Sequence, residues 1–132
     1  ALILTSGRGH LDIVKTLLEH EATIEATGEH GNTALMEASR YGKLNVVKTL
    51  LEHKANIQAT NRNGDTALMK ASTCGNCDVL KTLLKQKANI ESTNNDGDTA
   101  LSAAQKIGNH EDAVVALLTA VQNEVIMERA MG

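Results

Sequence analysis

The chain has 132 residues, about one domain's worth, and carries a net charge of −3 with acidic and basic residues interspersed. That balance makes no field strong enough to point to nucleic acid or a membrane surface, and with Tyr41 as the sole aromatic side chain there is no material for base-stacking platforms or aromatic cages. No apolar run approaches the roughly 20 residues of a membrane span, no signal peptide opens the chain, and two cysteines three positions apart make no disulfide framework, so the expected compartment is reducing: the cytoplasm, with the nucleus as the alternative.

The dominant signal is a repeat of 33 residues. Gly31-Asn32-Thr33-Ala34-Leu35-Met36 returns as Gly64-Asp65-Thr66-Ala67-Leu68-Met69 and again as Gly97-Asp98-Thr99-Ala100-Leu101-Ser102. Gly9, Gly42, Gly75 and Gly108 keep the same step, as do the apolar quartets Ile13/Val14/Leu17/Leu18, Val46/Val47/Leu50/Leu51 and Val79/Leu80/Leu83/Leu84. One such unit cannot bury its own apolar face, so the period predicts an all-α solenoid of about four stacked helix-turn-helix units, with function on an extended surface rather than in a closed pocket.

At the amino end, Ala1-Leu2-Ile3-Leu4 aligns with Ala34-Leu35-Met36-Glu37, so the chain starts inside the first helix of a unit. Leu4 stands where later units carry Glu37, Lys70 and Ala103. A solenoid terminus needs a polar outer face, so further repeats or a capping segment are expected upstream, and the chain reads as a monomeric fragment of something longer.

The third unit shows the pattern most fully. Asn61-Arg62-Asn63-Gly64-Asp65 is a polar turn, and Thr66 sits where an N-cap belongs. A short first helix is predicted over Ala67 to Thr73, with small residues at Ala67 and Ala71 that allow close helix approach. Gly75 breaks the chain, and a second helix is predicted from Cys77 to Lys85 with Val79, Leu80, Leu83 and Leu84 on one face. Ala88-Asn89-Ile90-Glu91 then runs extended to the next turn. In the last unit one residue is gained after Gly108, moving the quartet to Ala113/Val114/Leu117/Leu118. Val121 and Val125 continue its stripe, which predicts one long helix from about Glu111 to Ala130 closing the stack. Alternatively, Ile126, Met127 and Met131 begin a linker or partner-binding helix.

These stretches resemble the ankyrin repeat. Its G-x-T-P-L-H-x-A-A-x-x-G opening is matched by residues Gly31 to Gly42, its V-V-x-x-L-L helix by Val46 to Leu51, and its G-A-D-V-N-A exit by Lys54 to Ala59. The resemblance spans nearly the whole chain: a partial repeat over 1–30, repeats over 31–63 and 64–96, and a last repeat with an extended helix over 97–132. It implies β-turn fingers protruding beside a concave wall of first helices.

Departures from the pattern imply a softer stack. The family's proline is Ala34, Ala67 or Ala100, which forgoes about 0.4–1 kcal/mol per site of unfolded-state restriction. Its histidine is Met36, Met69 or Ser102, so a bridging hydrogen bond gives way to adaptable apolar bulk at the methionines. Its exit glycine is Glu21, Lys54 or Lys87, each costing on the order of 1 kcal/mol if the backbone still turns left-handed.

Catalytic and metal chemistry find little support. Cys74-Gly75-Asn76-Cys77 is a C-x-x-C, yet Gly75 is already explained as the inter-helix glycine, Cys77 replaces Leu11 and Leu44 of its sister units, and no second ligand pair lies nearby. His20 and His53, one period apart, sit on helices whose axes pack about 8–10 Å apart, too far to share one metal. No phosphate-binding motif and no nucleophile–base–acid set is present, so neither enzyme activity nor a cofactor is expected.

The expected surface for a protein or peptide partner is the groove that the resemblance implies. On the turns it takes Glu29, His30 and Asn32, then Arg62, Asn63 and Asp65, then Asn95, Asp96 and Asp98. On the wall it takes Arg8, Glu37, Arg40, Tyr41, Lys70, Thr73, Cys74, Lys106 and Ile107. A bound peptide would meet a basic floor and acidic tips; the plainer alternative is an ordinary solvated surface. Tyr41 beside Arg40 has the chemistry of an interface anchor, or else of a half-buried helix end against Met36 or Met69. A second reading of the whole is a structural spacer that packs within a larger, channel-type assembly.

Overall fold

The computed structural model describes residues 2–107 and 111–131. Eight helices and no strand occur among these residues: α1 Leu2–Arg8, α2 Leu11–Glu19, α3 Ala34–Arg40, α4 Leu44–Glu52, α5 Ala67–Thr73, α6 Cys77–Lys85, α7 Ala100–Ile107 and α8 Glu111–Met131. Helices α5 and α6 begin and end where the spacing places them. Gly108, His110 and the residue gained after Gly108 lie outside the described residues, as does the side chain of Ala113.

The threonine caps start the short helices. The amides of Met36 and Met69 donate to the Oγ1 atoms of Thr33 and Thr66, both at 3.3 Å, and that of Ser102 donates to Thr99 Oγ1 at 3.2 Å. A helix of seven residues is far too short to stand alone in water, so packing must hold it. Helices α1, α3, α5 and α7 lie side by side as an inner layer, and α2, α4, α6 and α8 form an outer one. Leu35, Met36, Leu68 and Met69 of the inner layer meet Val46, Val47, Leu50, Val79, Leu80 and Leu83 of the outer layer in one continuous buried core. Fully buried Ala38 and Ala71 keep neighbouring inner helices close. Met36 and Met69 are as enclosed as the leucines beside them, filling the space that the family gives to histidine.

The first quartet departs from its sisters. Val14 is buried, but Ile13 is exposed and Leu17 and Leu18 are half-buried. Helix α4 lies between α2 and α6, whereas α2 is covered on the side of α4 and α1 alone.

Helices α2, α4 and α6 each leave through a residue in the left-handed region: Glu21 at φ 62°, Lys54 at φ 65° and Lys87 at φ 65°. The backbone therefore keeps the family's turn although a side chain is present, and the expected strain is real at all three sites.

The long helix spans 21 residues. Val114 and Leu118 are buried and Leu117, Val121 and Val125 half-buried, so its first part covers α6 and α7 as a closing helix would. Its distal part exposes Ile126, Met127 and Met131, the residues of the alternative reading. Arg129 Nη2 still reaches back to Glu91 Oε2 at 2.6 Å.

Candidate partner-binding groove

The turns that precede α3, α5 and α7 form a row of three fingers. Each is closed by its own backbone, with Gly28 N to Asn32 O, Asn61 N to Asp65 O and Asn94 N to Asp98 O at 2.9–3.0 Å. Each is joined to the next, through Arg62 N to His30 O at 3.2 Å and Asn95 N to Asn63 O at 2.9 Å. Gly64 shows why the tip needs glycine. Its φ is +78°, and a Cβ there would lie 2.7 Å from Asn95 Oδ1 and 2.9 Å from the Asn95 amide of the neighbouring finger.

A ladder of polar side chains runs beneath the fingers. Asn32 Nδ2 donates to Glu37 Oε1 at 2.7 Å, and Asn61 Nδ2 donates to Asn32 Oδ1 at 2.8 Å. Asn94 Nδ2 donates to Asp65 Oδ1 at 3.0 Å, while Asp65 Oδ2 faces Lys70 Nζ at 3.6 Å. Asp98 ends the row, accepting from Lys106 Nζ at 2.7 Å and from Ser102 Oγ at 3.0 Å. The Lys106 ammonium holds the Asp98 carboxyl below its ordinary pKa, against the opposing effect of desolvation, and the Ser102 hydroxyl adds to the lowering. The Asp98 carboxylate in turn raises the pKa of Lys106.

The ladder changes several expected assignments. Asn32 and Asp98 are buried, and Asp65 is largely so, because their side chains turn inward: Asn32 and Asp65 bond to an asparagine of the next unit, and Asp98 to Lys106 and Ser102 of its own. They are not fingertips that a partner could touch freely. Glu29, His30, Arg62, Asn63, Asn95 and Asp96 are the exposed residues of the row. Lys70 and Lys106 have their charges answered by Asp65 and Asp98, so the basic floor is not continuous.

On the wall Arg8, Arg40 and Tyr41 stand exposed, Glu37, Thr73 and Cys74 are half-buried, and Ile107 is exposed at the far end. The Arg40 guanidinium lies over the Tyr41 ring, 5.1 Å from its centroid, within cation–π range. Tyr41 is the C-cap of α3 and is 52% exposed. Neither Arg8 nor Arg40 makes an ion pair among the described residues. The cysteines are free and half-buried, with Cys77 against the core and Cys74 ending α5. Among the described residues no group of three or more His, Cys, Asp or Glu stands where it could hold a metal ion, and no helix is long and apolar enough to cross a membrane.

Comparison with known families agrees with this architecture. The family model for ankyrin repeats (three copies) matches residues 1–61 and again residues 54–126. The chain belongs to the ankyrin-repeat family. No curated protein matches it. Ankyrin repeats are in general protein–protein interaction modules, and the family is typically non-enzymatic.

Two features of this ankyrin array escaped the sequence reading. One is Asn76, whose Nδ2 donates to the carbonyls of Ser39 at 2.7 Å and Arg40 at 2.9 Å, capping the α3 end of the preceding unit. The other is an open cleft of about 700 Å³ between the first two units, bordered by Leu4, Gly7, Arg8, Glu37, Tyr41 and Lys43. Aligning Gly7 with Arg40, Thr73 and Lys106 would have flagged the missing side chain.

Proposed function

We propose that this ankyrin array is a non-enzymatic binding module that takes a peptide or folded partner along its concave wall and the exposed finger residues, inside a cell's reducing compartment. The observation that carries this reading is the Arg40–Tyr41 pair. An exposed aromatic ring with a guanidinium stacked on it, and no ion-pair partner for that charge among the described residues, sits on the wall at the end of the second inner helix. Tyrosine and arginine are enriched at interface hot spots: tyrosine buries large area at low entropic cost, and arginine adds a planar fork of donors. The scaffold behind them is held by caps, ladder and core before any partner arrives, so association orders little of it.

The test is peptide selection on the 132-residue chain followed by exchange of residues. Binders that lose affinity on the double substitution Arg40→Glu, Tyr41→Ala, yet tolerate Lys48→Glu on the outer helix α4, support the groove. Binders with the opposite preference, or a chain that selects none, overturn it.

The spacer reading draws on one specific observation, the exposed Ile126, Met127 and Met131 on the distal part of α8. A spacer would use such a face for packing within a larger assembly, and its concave wall would tolerate the Arg40→Glu, Tyr41→Ala change.

A further inference from the structure

The wall is not uniform along its length. Gly7 of α1 occupies the position that Arg40, Thr73 and Lys106 hold in the later units. Without a side chain there, a notch opens between α1 and α3, and the cleft of about 700 Å³ is its volume. One unit further on, the corresponding space, bordered by Arg40, Lys70 and Thr73, is about 370 Å³. A Cβ built on Gly7 would lie 3.5 Å from Glu37 Cβ and 3.5 Å from Tyr41 Cδ2, so the notch floor is the Tyr41 ring edge and the Glu37 stem at ordinary contact distance.

The lining is apolar with a cationic rim. Leu4 is 59% exposed and Tyr41 52% exposed, and both border this one cleft. Arg8 and Lys43 border it, Arg40 stacks on its tyrosine, and none of the three makes an ion pair among the described residues. Glu37 is the single acid bordering the cleft among the described residues, and its Oε1 is engaged by Asn32. Three cations against one carboxylate therefore surround this site on a chain whose net charge is −3. Lys70 and Lys106 further along have carboxylate partners, so the unanswered positive charge of the wall is concentrated beside the notch.

From this juxtaposition we infer that the Gly7 notch is the specificity site of the groove, taking an acidic peptide segment whose aliphatic side chain enters between Leu4 and Tyr41 while flanking carboxylates meet Arg8, Arg40 and Lys43. The inference rests on the groove reading above and narrows it to one end of the wall and one partner chemistry. The volume falls within the roughly 300–1,000 Å³ of ordinary ligand sites, enough for a short segment and not for a folded domain. Carboxylates at the rim complement the cations there, which steer their approach, and the cationic rim disfavours basic segments.

The experiment selects displayed random peptides on the 132-residue chain and measures the winners by fluorescence anisotropy against Gly7→Leu, Gly7→Ala and Arg8→Glu, Lys43→Glu variants. Gly7 is inside a helix and lacks positive φ, so both replacements suit the backbone, and melting curves of Gly7→Ala and Gly7→Leu at or above the parent show that the fold is intact. The expected result is a set of winners carrying an aliphatic residue flanked by Asp or Glu, weakened tenfold or more by Gly7→Leu and by the double charge reversal, and weakened by added salt. Winners that are basic or uncharged overturn the partner chemistry. Acidic winners that bind Gly7→Leu as tightly as the parent overturn the notch; if they still need Arg40 and Tyr41, the groove survives without it. A chain that selects nothing removes both.

Discussion

Asn32 and Asn61, 29 residues apart, share a buried side-chain hydrogen bond of 2.8 Å. The same Asn61 side chain accepts from the amides of Asn63 and Asp65, each at 2.9 Å, so one residue both shapes its own finger and fastens it to the finger before. Replacing Asn61 with alanine leaves those amides and the Asn32 acceptor without their partner. Asn61→Ala is expected to lower stability by about 2–3 kcal/mol, since buried polar groups left unsatisfied carry their full desolvation cost. Urea denaturation checks this, and a loss below about 0.5 kcal/mol would show that water replaces the ladder without penalty.

Lys54 and Lys87 hold φ of 65° with a side chain attached. Lys54→Gly and Lys87→Gly should each raise stability by up to about 1 kcal/mol, the left-handed penalty less the extra freedom that glycine gives the unfolded chain. The same change at Lys48, inside α4, should cost about 1 kcal/mol. Thermal melts of the three variants separate backbone strain from loss of a lysine.

Ser39 and Ser72 occupy equivalent buried sites with opposite bonding. Ser72 Oγ donates to Leu68 O at 2.7 Å, whereas Ser39 Oγ is buried without a hydrogen-bond partner among the described residues. Ser39→Ala is expected to stabilise by about 1 kcal/mol and Ser72→Ala to be neutral or mildly destabilising. Equal effects at the two sites, measured by chemical denaturation, would contradict this account.

The Asp98–Lys106 pair sets an acid dependence. Asp98 ionises more readily folded than unfolded, so its contribution is present above the ordinary carboxylate pKa of about 4 and fades as pH falls through the lower folded value. Lys106 is raised, so its contribution is full below the ordinary lysine value of about 10.4 and is lost as pH climbs through the higher folded value. Lys106→Met should flatten both limbs of a melting-temperature profile. The lysine side chain is 65% exposed, so molar salt should mute the difference.

Much of the fold could be seen in the residues themselves, because each signal acts locally. Thr66 caps, Gly75 breaks and Val79 to Leu84 mark a face, and these fix α5 and α6 without reference to any neighbour. The groove was less visible, because its character depends on what lies across a joint. Asn32 and Asp98 sit on polar turns and so looked exposed, yet Asn32 is held inward by Asn61 of the adjacent unit and Asp98 by Lys106 at the far end of α7. Lys70 and Lys106 looked like a continuous basic floor, and the carboxylates that answer them come from turns one helix start away. Gly7 offered nothing to notice in isolation; its meaning lies in what its sister positions carry.

Substantial contacts in this array run from each helix pair to its immediate neighbours. No distant residue therefore has to be matched when a module is duplicated or removed, provided that the cut falls at the same phase. Such a molecule can change length by whole modules while every joint keeps its shape, so its reach can evolve independently of its grip.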